Sequence, residues 1–335
     1  MDYVTLGSTG ITTNKNGFGA IPIQRLDENE SRTMLERAYN GGITFYDTAR
    51  FYTDSEDKIG AALSSVRKNI FIATKAMASD SRVLWEHLEI SLSALKTDYI
   101  DIYQFHNPPT CPKPGDGSGL YEAMLDAKAK GLIRHIGISN HRIAVAREAA
   151  DSGLYEIIQY PLSYLSTAEE VDFIRSCTQK NIGIIAMKAL SGGLLSDSAA
   201  AYAYLMQFPK TIPIWGIQFM HELEEFLSYQ DNPPVLDEKA NGAIERDRNE
   251  LSGDFCRGCG YCLPCPANIN IPMAARMDLF VRRTPEAFYL SEDLKATMKH
   301  IDDCIDCEHC KDHCPYNLDP RRMMKKSWAE YKELL

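Results

Sequence analysis

The sequence has no excess of positive charge: 36 Lys and Arg stand against 46 Asp and Glu, a formal net charge of -10. That balance argues against nucleic acid or an anionic membrane surface as a partner, since both need a basic face to dock on. The sequence also lacks any apolar run near the roughly 18 residues of a membrane span. Its start, Met1-Asp2-Tyr3-Val4, has neither a basic head nor an apolar core, so no secretory signal peptide is expected. Cysteine is nearly missing before Cys256, where only Cys111 and Cys177 occur. Cys111 falls in the Pro/Gly-rich segment 107–119 and reads as a loop residue or a pocket wall. Cys177 lies in a helical pattern and reads as a small packing residue. What remains is ordinary for a globular chain: 335 residues, 44% hydrophobic and 24% charged, enough for one large domain and a small one.

The other eight cysteines fall in two tight runs. Cys256, Cys259, Cys262 and Cys265 precede Pro266, and Cys304, Cys307, Cys310 and Cys314 precede Pro315. Three thiolates at two-residue gaps match one face of an iron–sulfur cube, and a fourth cysteine followed by proline completes a ferredoxin pattern. Two runs imply two [4Fe–4S] clusters. In two-cluster ferredoxins the fourth cysteine crosses to the other cluster. One cluster then takes Cys256, Cys259, Cys262 and Cys314, and the other takes Cys304, Cys307, Cys310 and Cys265. The first run is one residue shorter than usual before its last cysteine, so the crossover follows less directly than the clusters. Structural zinc and disulfides are the alternatives. Thiolates on iron imply a reducing compartment, the cytoplasm.

Residues 1–230 alternate short apolar runs with longer amphipathic stretches. The runs are Gly17–Ile23, Ile43–Thr48, Ile70–Lys75, Tyr99–His106, Leu132–Ser139, Glu156–Tyr160, Ile182–Met187 and Ile212–Ile217. Nearly continuous β-branched runs read as parallel strands buried on both faces. Eight of them alternating with eight helices fit an α/β fold, a (β/α)8 TIM barrel, with a doubly wound sheet as the rival. Tyr3–Leu6 and Ile11–Asn14 read as a capping hairpin. The expected organisation is a barrel over 1–234, a helical linker over 235–250, and a small, mainly α-helical iron–sulfur domain over 251–335. Helical spacing is expected over Ile271–His300 and Pro320–Leu335.

In such a barrel the active site lies at the C-terminal strand ends. Those ends carry Asp47, Lys75, His106, Ser139-Asn140, Gln159, Met187-Lys188 and Gly216, mostly polar or ionisable residues closing apolar runs. Residues 1–230 resemble the aldo-keto reductase family, on the segments GITFYDTARFYTDSEDKIG (42–60), FIATKA, DIYQFHNP, IGISN and IIQYPLSY. The resemblance implies a (β/α)8 fold, NADP(H) or NAD(H) lying across the barrel mouth, and reversible reduction of a small-molecule carbonyl to an alcohol. It implies a catalytic set of Asp47, Tyr52, Lys75 and His106. It places cofactor contacts at Gly19, Ala20, Ser139, Asn140, Gln159, Met187, Lys188, Gly216, Ile217 and Gln218. The cysteine-rich tail resembles α-helical ferredoxin modules fused to a subgroup of these reductases.

The chemistry of that set can be argued directly. Hydride addition to a carbonyl builds charge on oxygen, so the site needs an acid, and a tyrosine serves only if a cation lowers its pKa from ~10. Lys75 would be that cation, Asp47 its anchor, and His106 the group that orients the carbonyl. Two departures from the family stand out. Met187 occupies the end of the seventh strand, where many members place an aromatic residue. WGIQFMHELEEF (215–226) has no Lys or Arg for a 2′-phosphate, and His221 is its only candidate cation. The basic group Arg321, Arg322, Lys325 and Lys326 reads as a solvated face or a docking site for an acidic redox carrier.

Two functions follow. One is carbonyl reduction in the barrel coupled to electron transfer through the clusters. The other is an electron-transfer or redox-sensing protein whose barrel is a binding module. Hydride carries two electrons and each cluster one, and flavin is the usual adaptor, but no flavin motif is present.

Overall fold

The computed structural model of the chain describes residues 2–251, 255–283 and 289–335. Strands β1 (Tyr3–Thr5) and β2 (Thr12–Asn14) pair antiparallel as a hairpin. Eight parallel strands then follow: β3 (Gly17–Gly19), β4 (Phe45–Asp47), β5 (Phe71–Ala76), β6 (Ile100–His106), β7 (Ile133–Ser139), β8 (Ile157–Pro161), β9 (Gly183–Met187) and β10 (Thr211–Gly216). They close into one barrel when β10 pairs with β3. Helices alternate with them: α1 (Glu28–Asn40), α2 (Ser55–Leu63), α3 (Ser81–Ala94), α4 (Leu120–Ala129), α5 (Ile143–Ser152), α6 (Ala168–Gln179), α7 (Ser198–Met206) and α8 (Met220–Asp231). The parallel barrel, not the doubly wound sheet, is the fold.

Local chemistry sets several helix starts. Asp27 and Glu30 form a capping box at α1, as do Thr167 and Glu170 at α6, and Asp80 accepts the Val83 N–H at α3. The first barrel strand is shorter than its apolar run. It stops at Gly19, and Pro22, which has no N–H for a ladder, opens a 3-10 turn through Arg25. Hairpin residues Val4, Leu6 and Ile11 join Phe45, Ala73, Ile102, Ile157, Ile185 and Ile212 in one buried cluster inside the barrel. Gly7 lets the hairpin pack there: its φ is +54°, and a Cβ would lie 2.3 Å from the Gly183 nitrogen.

By compactness the chain divides into two units, Met1–Ala189 with Ala199–Ala240, and Leu190–Ser198 with Asn241–Leu335. The second unit is helical, with no strand among its described residues. Its pieces are most of the helix Glu238–Glu250, then Ile271–Ala274, Met277–Arg283, Glu292–Lys299, a 3-10 turn at His300–Asp303, His309–Asp312 and Pro320–Lys332. The spacing over Ile271–His300 is thus broken into short segments, and residues 284–288 lie outside the described part, as do 252–254 at the start of the cysteine-rich region. Its core gathers Met298, Ile301, Met324 and Tyr331, and Trp328 donates its indole N–H to Asp302 Oδ1 at 2.7 Å. No described helix is long and apolar enough to cross a membrane.

At the end of the barrel away from the strand C-termini, Arg67 and Asp101 form a buried ion pair at 2.6 Å. Arg67 also donates to the Ile70 and Tyr99 carbonyls, and Asp101 accepts the Ile72 N–H. Removing one partner strands a buried charge, a change that costs about 3–5 kcal/mol. Asp101→Ala is expected to lower barrel stability by about 3 kcal/mol or more, read by urea unfolding with far-ultraviolet circular dichroism. A loss under about 1 kcal/mol would show the pair to be incidental.

Candidate functional site

Parallel register decides which strand ends meet. Gly19 lies beside Asp47, His106 beside Ser139, and Ser139 beside Gln159. Asp47 ends β4 and Lys75 is the penultimate residue of β5, both buried, and Lys75 Nζ donates to Asp47 Oδ1 and to the Thr48 carbonyl, both at 2.7 Å. Burial draws the ammonium below the usual lysine value, and the Asp47 carboxylate opposes that shift. Gln159 Nε2 adds a bond to Asp47 Oδ1 at 3.2 Å and is itself held by Gln104.

Tyr52 covers this pair from the loop between β4 and α2. Its ring centroid lies 5.2 Å from Lys75 Nζ and 5.8 Å from the His106 ring, nearly perpendicular to it. His106 is buried and its pKa falls to about 3, first by desolvation and second by the Lys75 charge. It is therefore a neutral imidazole at any physiological pH. The four residues Asp47, Tyr52, Lys75 and His106 converge at one mouth.

Several neighbours were not among the expected site residues. Glu56, on α2, is buried and accepts from Thr74 Oγ1 at 2.6 Å and from Arg50 Nη1 at 2.5 Å. Its charge acts on Lys75 in the same sense as Asp47's. His141 is buried past the end of β7, where desolvation and then Lys188 and His106 depress its pKa. The backbone is strained next to three site residues: Thr53, Asn107 and Lys188 hold φ of +35°, +50° and +60°. Such conformations persist where the surroundings over-determine them.

The ten expected cofactor contacts are distributed unevenly around the mouth. Ser139, Asn140, Ala20 and Ile217 are buried, whereas Gly216 is open to solvent. Ala20 donates its N–H to the Asp47 carbonyl. Asn140 Nδ2 donates to the Pro108 carbonyl at 2.8 Å. Met187 is half-buried against the barrel core. Gln218 accepts from Arg25 Nη1 at 2.8 Å, so a cation does reach the 215–226 segment, from the other side of the barrel seam. His221 stacks on Phe219 instead. Cys111 is buried in its loop and Cys177 in α6, and burial raises both thiols, the latter to about 12.

In the second unit a small pocket is lined by Cys265 of the first run together with Cys304, Cys307 and Cys310 of the second. Ile271 and Met324 complete its apolar wall. Cys256, Cys259 and Cys262 stand close enough to act on one another electrostatically, and the Gly258 N–H points at Cys256 Sγ, 3.4 Å away. Arg257 lies 5.6 Å from the ring of Tyr316, two residues beyond Cys314. Burial raises the Cys262 and Cys310 thiols, so their thiolates need a positive partner such as iron. Among the described residues no three His, Cys, Asp or Glu close around a single ion. A cubane would take each thiolate on a different iron, and the pocket brings cysteines of both runs together. Arg321 and Lys325 pair with Glu308 and Asp306 in the second cysteine loop, so they brace that loop.

The fold and the two sites define an oxidoreductase-type barrel with a ferredoxin-like tail. The chain belongs to the Aldo/keto reductase family, which matches residues 9–200. A 4Fe-4S dicluster domain matches residues 255–318. The oxidoreductase YqkF of Bacillus subtilis is 29% identical over 206 residues, 57% of this chain and 66% of its own length. The aldo-keto reductase YhdN of the same organism is 29% identical, over 58% of this chain and 64% of its own. The chain thus spans about two thirds of these relatives' length. In fold it is similar to aldo-keto reductase AKR11C1 from Bacillus halodurans, with a TM-score of 0.65, 21% identity, and coverage of 74% and 96% of the two chains. An aldo-keto reductase from Klebsiella pneumoniae, solved with NADP and acetate, gives a TM-score of 0.62 at 20% identity, covering 73% and 95%.

The environment of His106 has a consequence for pH. The unfolded chain takes up this proton near pH ~6.5, whereas the folded chain does so only near its depressed value of about 3. The stability His106 contributes is therefore complete above about pH 6.5 and lost as pH falls from there toward about 3. Histidine-detected NMR is expected to show no titration of His106 between about pH 8 and pH 4. An inflection near pH ~6.5 would mean that the ring is solvated.

Proposed function

We propose that the barrel catalyses reversible carbonyl–alcohol interconversion with a nicotinamide cofactor, and that the C-terminal unit holds two [4Fe–4S] clusters that exchange electrons with this reaction. The observation that carries the first half is the buried Lys75–Asp47 pair beneath Tyr52 and a neutral His106. A module that only binds has no use for a buried ion pair set under a tyrosine.

The nicotinamide would supply the hydride to the carbonyl carbon, and Tyr52 would deliver the proton to its oxygen. The nearby Lys75 charge makes the phenol a better acid, because it stabilises the phenolate left behind. Asp47 keeps Lys75 charged and pointed at the ring. His106 donates a hydrogen bond to the substrate oxygen, and being neutral it does so without competing as the acid. The excluded water strengthens each of these interactions. Ser139, Asn140, Gln159, Met187 and Lys188 would hold the nicotinamide end, and Gly19, Ala20, Gly216, Ile217 and Gln218 the strand-end path beyond it. Arg25, poised on Gln218, favours NADP, since a guanidinium matches a phosphate bidentately. The relatives named as aldo-keto reductases and the fold's likeness to one solved with NADP support this reading.

The eight cysteines would hold the clusters, Cys304, Cys307, Cys310 and Cys265 on one, and Cys256, Cys259, Cys262 and Cys314 on the other. Clusters supply single electrons, so two of them together match the electron count of one hydride. A redox carrier protein would relay those electrons.

Tyr52→Phe is expected to cut turnover of a small aldehyde by ~10²-fold or more while leaving nicotinamide binding intact, as measured by steady-state rates and fluorescence titration. Full activity in that variant would remove Tyr52 from the chemistry. For the tail, chain purified without oxygen should carry about eight iron and eight sulfide per polypeptide, four of each per cluster. Stoichiometric zinc with negligible iron would replace the clusters by zinc sites.

A further inference from the structure

Arg276 sits in the turn between the helices Ile271–Ala274 and Met277–Arg283 and is only 7% exposed. Its Nε donates to the Pro272 carbonyl and its Nη1 to the Gly192 carbonyl, both at 2.8 Å. Its guanidinium lies 5.0 Å from the Phe280 ring centroid. The other side of the guanidinium rests on Gly258, between Cys256 and Cys259. A Cβ there would come within 2.7 Å of the Arg276 Cζ, and Gly258 holds φ at +62°. A glycine is therefore required for the cysteine loop to fold over the cation.

The charge itself is unusual. The two carbonyls accept from Nε and Nη1 but supply no negative charge, and a buried guanidinium without a counter-ion is strongly disfavoured. Among the described residues the only groups that act on Arg276 with opposite charge are the Cys256 and Cys259 thiolates. Two cations beside the second cysteine run differ. Arg321 is half-buried and Lys325 exposed, and they already face Glu308 and Asp306.

We propose that Arg276 is the fixed counter-charge of the cluster bound by Cys256, Cys259 and Cys262, and that it raises that cluster's reduction potential. A cubane on four thiolates is anionic, and reduction adds one more negative charge. A cation held against two of its thiolates in a dry site stabilises the reduced state more than the oxidised state. Arg276 touches the ligand loop and not the reacting atoms of the barrel, so its effect is on potential and retention of the cluster.

This inference rests on the reading that the cysteines hold iron–sulfur clusters, and the experiment separates the two. The full chain, Arg276→Lys and Arg276→Met are purified without oxygen, assayed for iron and sulfide, and titrated electrochemically with EPR detection. Arg276→Lys is expected to keep the full iron content and both midpoints close to those of the unchanged chain. Arg276→Met is expected to move one midpoint negative by at least a tenfold change in the reduced-to-oxidised ratio, about 59 mV for a one-electron couple, and to leave the other in place. If Arg276→Met loses half its iron while Arg276→Lys keeps all of it, the requirement for charge stands. Unchanged midpoints in a fully loaded Arg276→Met would overturn the proposal. So would equal iron loss, or an equal shift, in both variants, since shape and not charge would then be the cause. An unchanged chain without iron would overturn the cluster reading itself.

Discussion

The contact on which the barrel depends is the closure of its first strand against its last. β3 approaches β10 so closely that a Cβ on Gly17 would lie 2.8 Å from the Pro213 carbonyl oxygen, and one on Gly19 would lie 2.9 Å from the Trp215 oxygen. Two glycines on a three-residue strand remove that obstacle. Closure brings the polar strand ends to one mouth and leaves the hairpin to fill the opposite end. The loop after β3 thereby carries Arg25 to Gln218, 193 residues away along the chain.

Both units place a buried cation against a sulfur or oxygen anion, and in each case the partner decides what the cation can do. Lys75 has a carboxylate at 2.7 Å and a second, Glu56, acting from further off, so its charge is held by the protein alone. Arg276 has no carboxylate acting on it among the described residues, only cysteine sulfurs. The first arrangement is complete without a ligand and sets a cation beneath the Tyr52 ring at the mouth. The second is balanced only when the thiols are ionised, which is the state that iron imposes. The protonation of one site and the metal loading of the other are thus set by the same rule: a charge taken out of water needs an opposite charge beside it.

What the chain order alone determined is the set of local patterns. Apolar runs alternating with helical stretches marked a parallel barrel, and Asp47, Lys75 and His106 at or near the ends of those runs marked the mouth where such barrels carry their sites. Cysteines at two-residue gaps marked the iron–sulfur region, because ligand spacing is itself local. Motif likeness supplied Tyr52 and the family. The tertiary structure alone decided which distant side chains complete these sites. His141 lies just outside the quoted motifs, Arg50 and Glu56 lie within the 42–60 segment without being singled out there, and Arg276 meets a carbonyl 84 residues earlier in the chain. Helical spacing over Ile271–His300 marked helix, and the structure divides it into Ile271–Ala274, Met277–Arg283 and Glu292–Lys299. Periodicity records burial but not the partner. Which charge faces which is set only when the chain closes on itself, through pairings whose separation along the sequence leaves no trace in either segment.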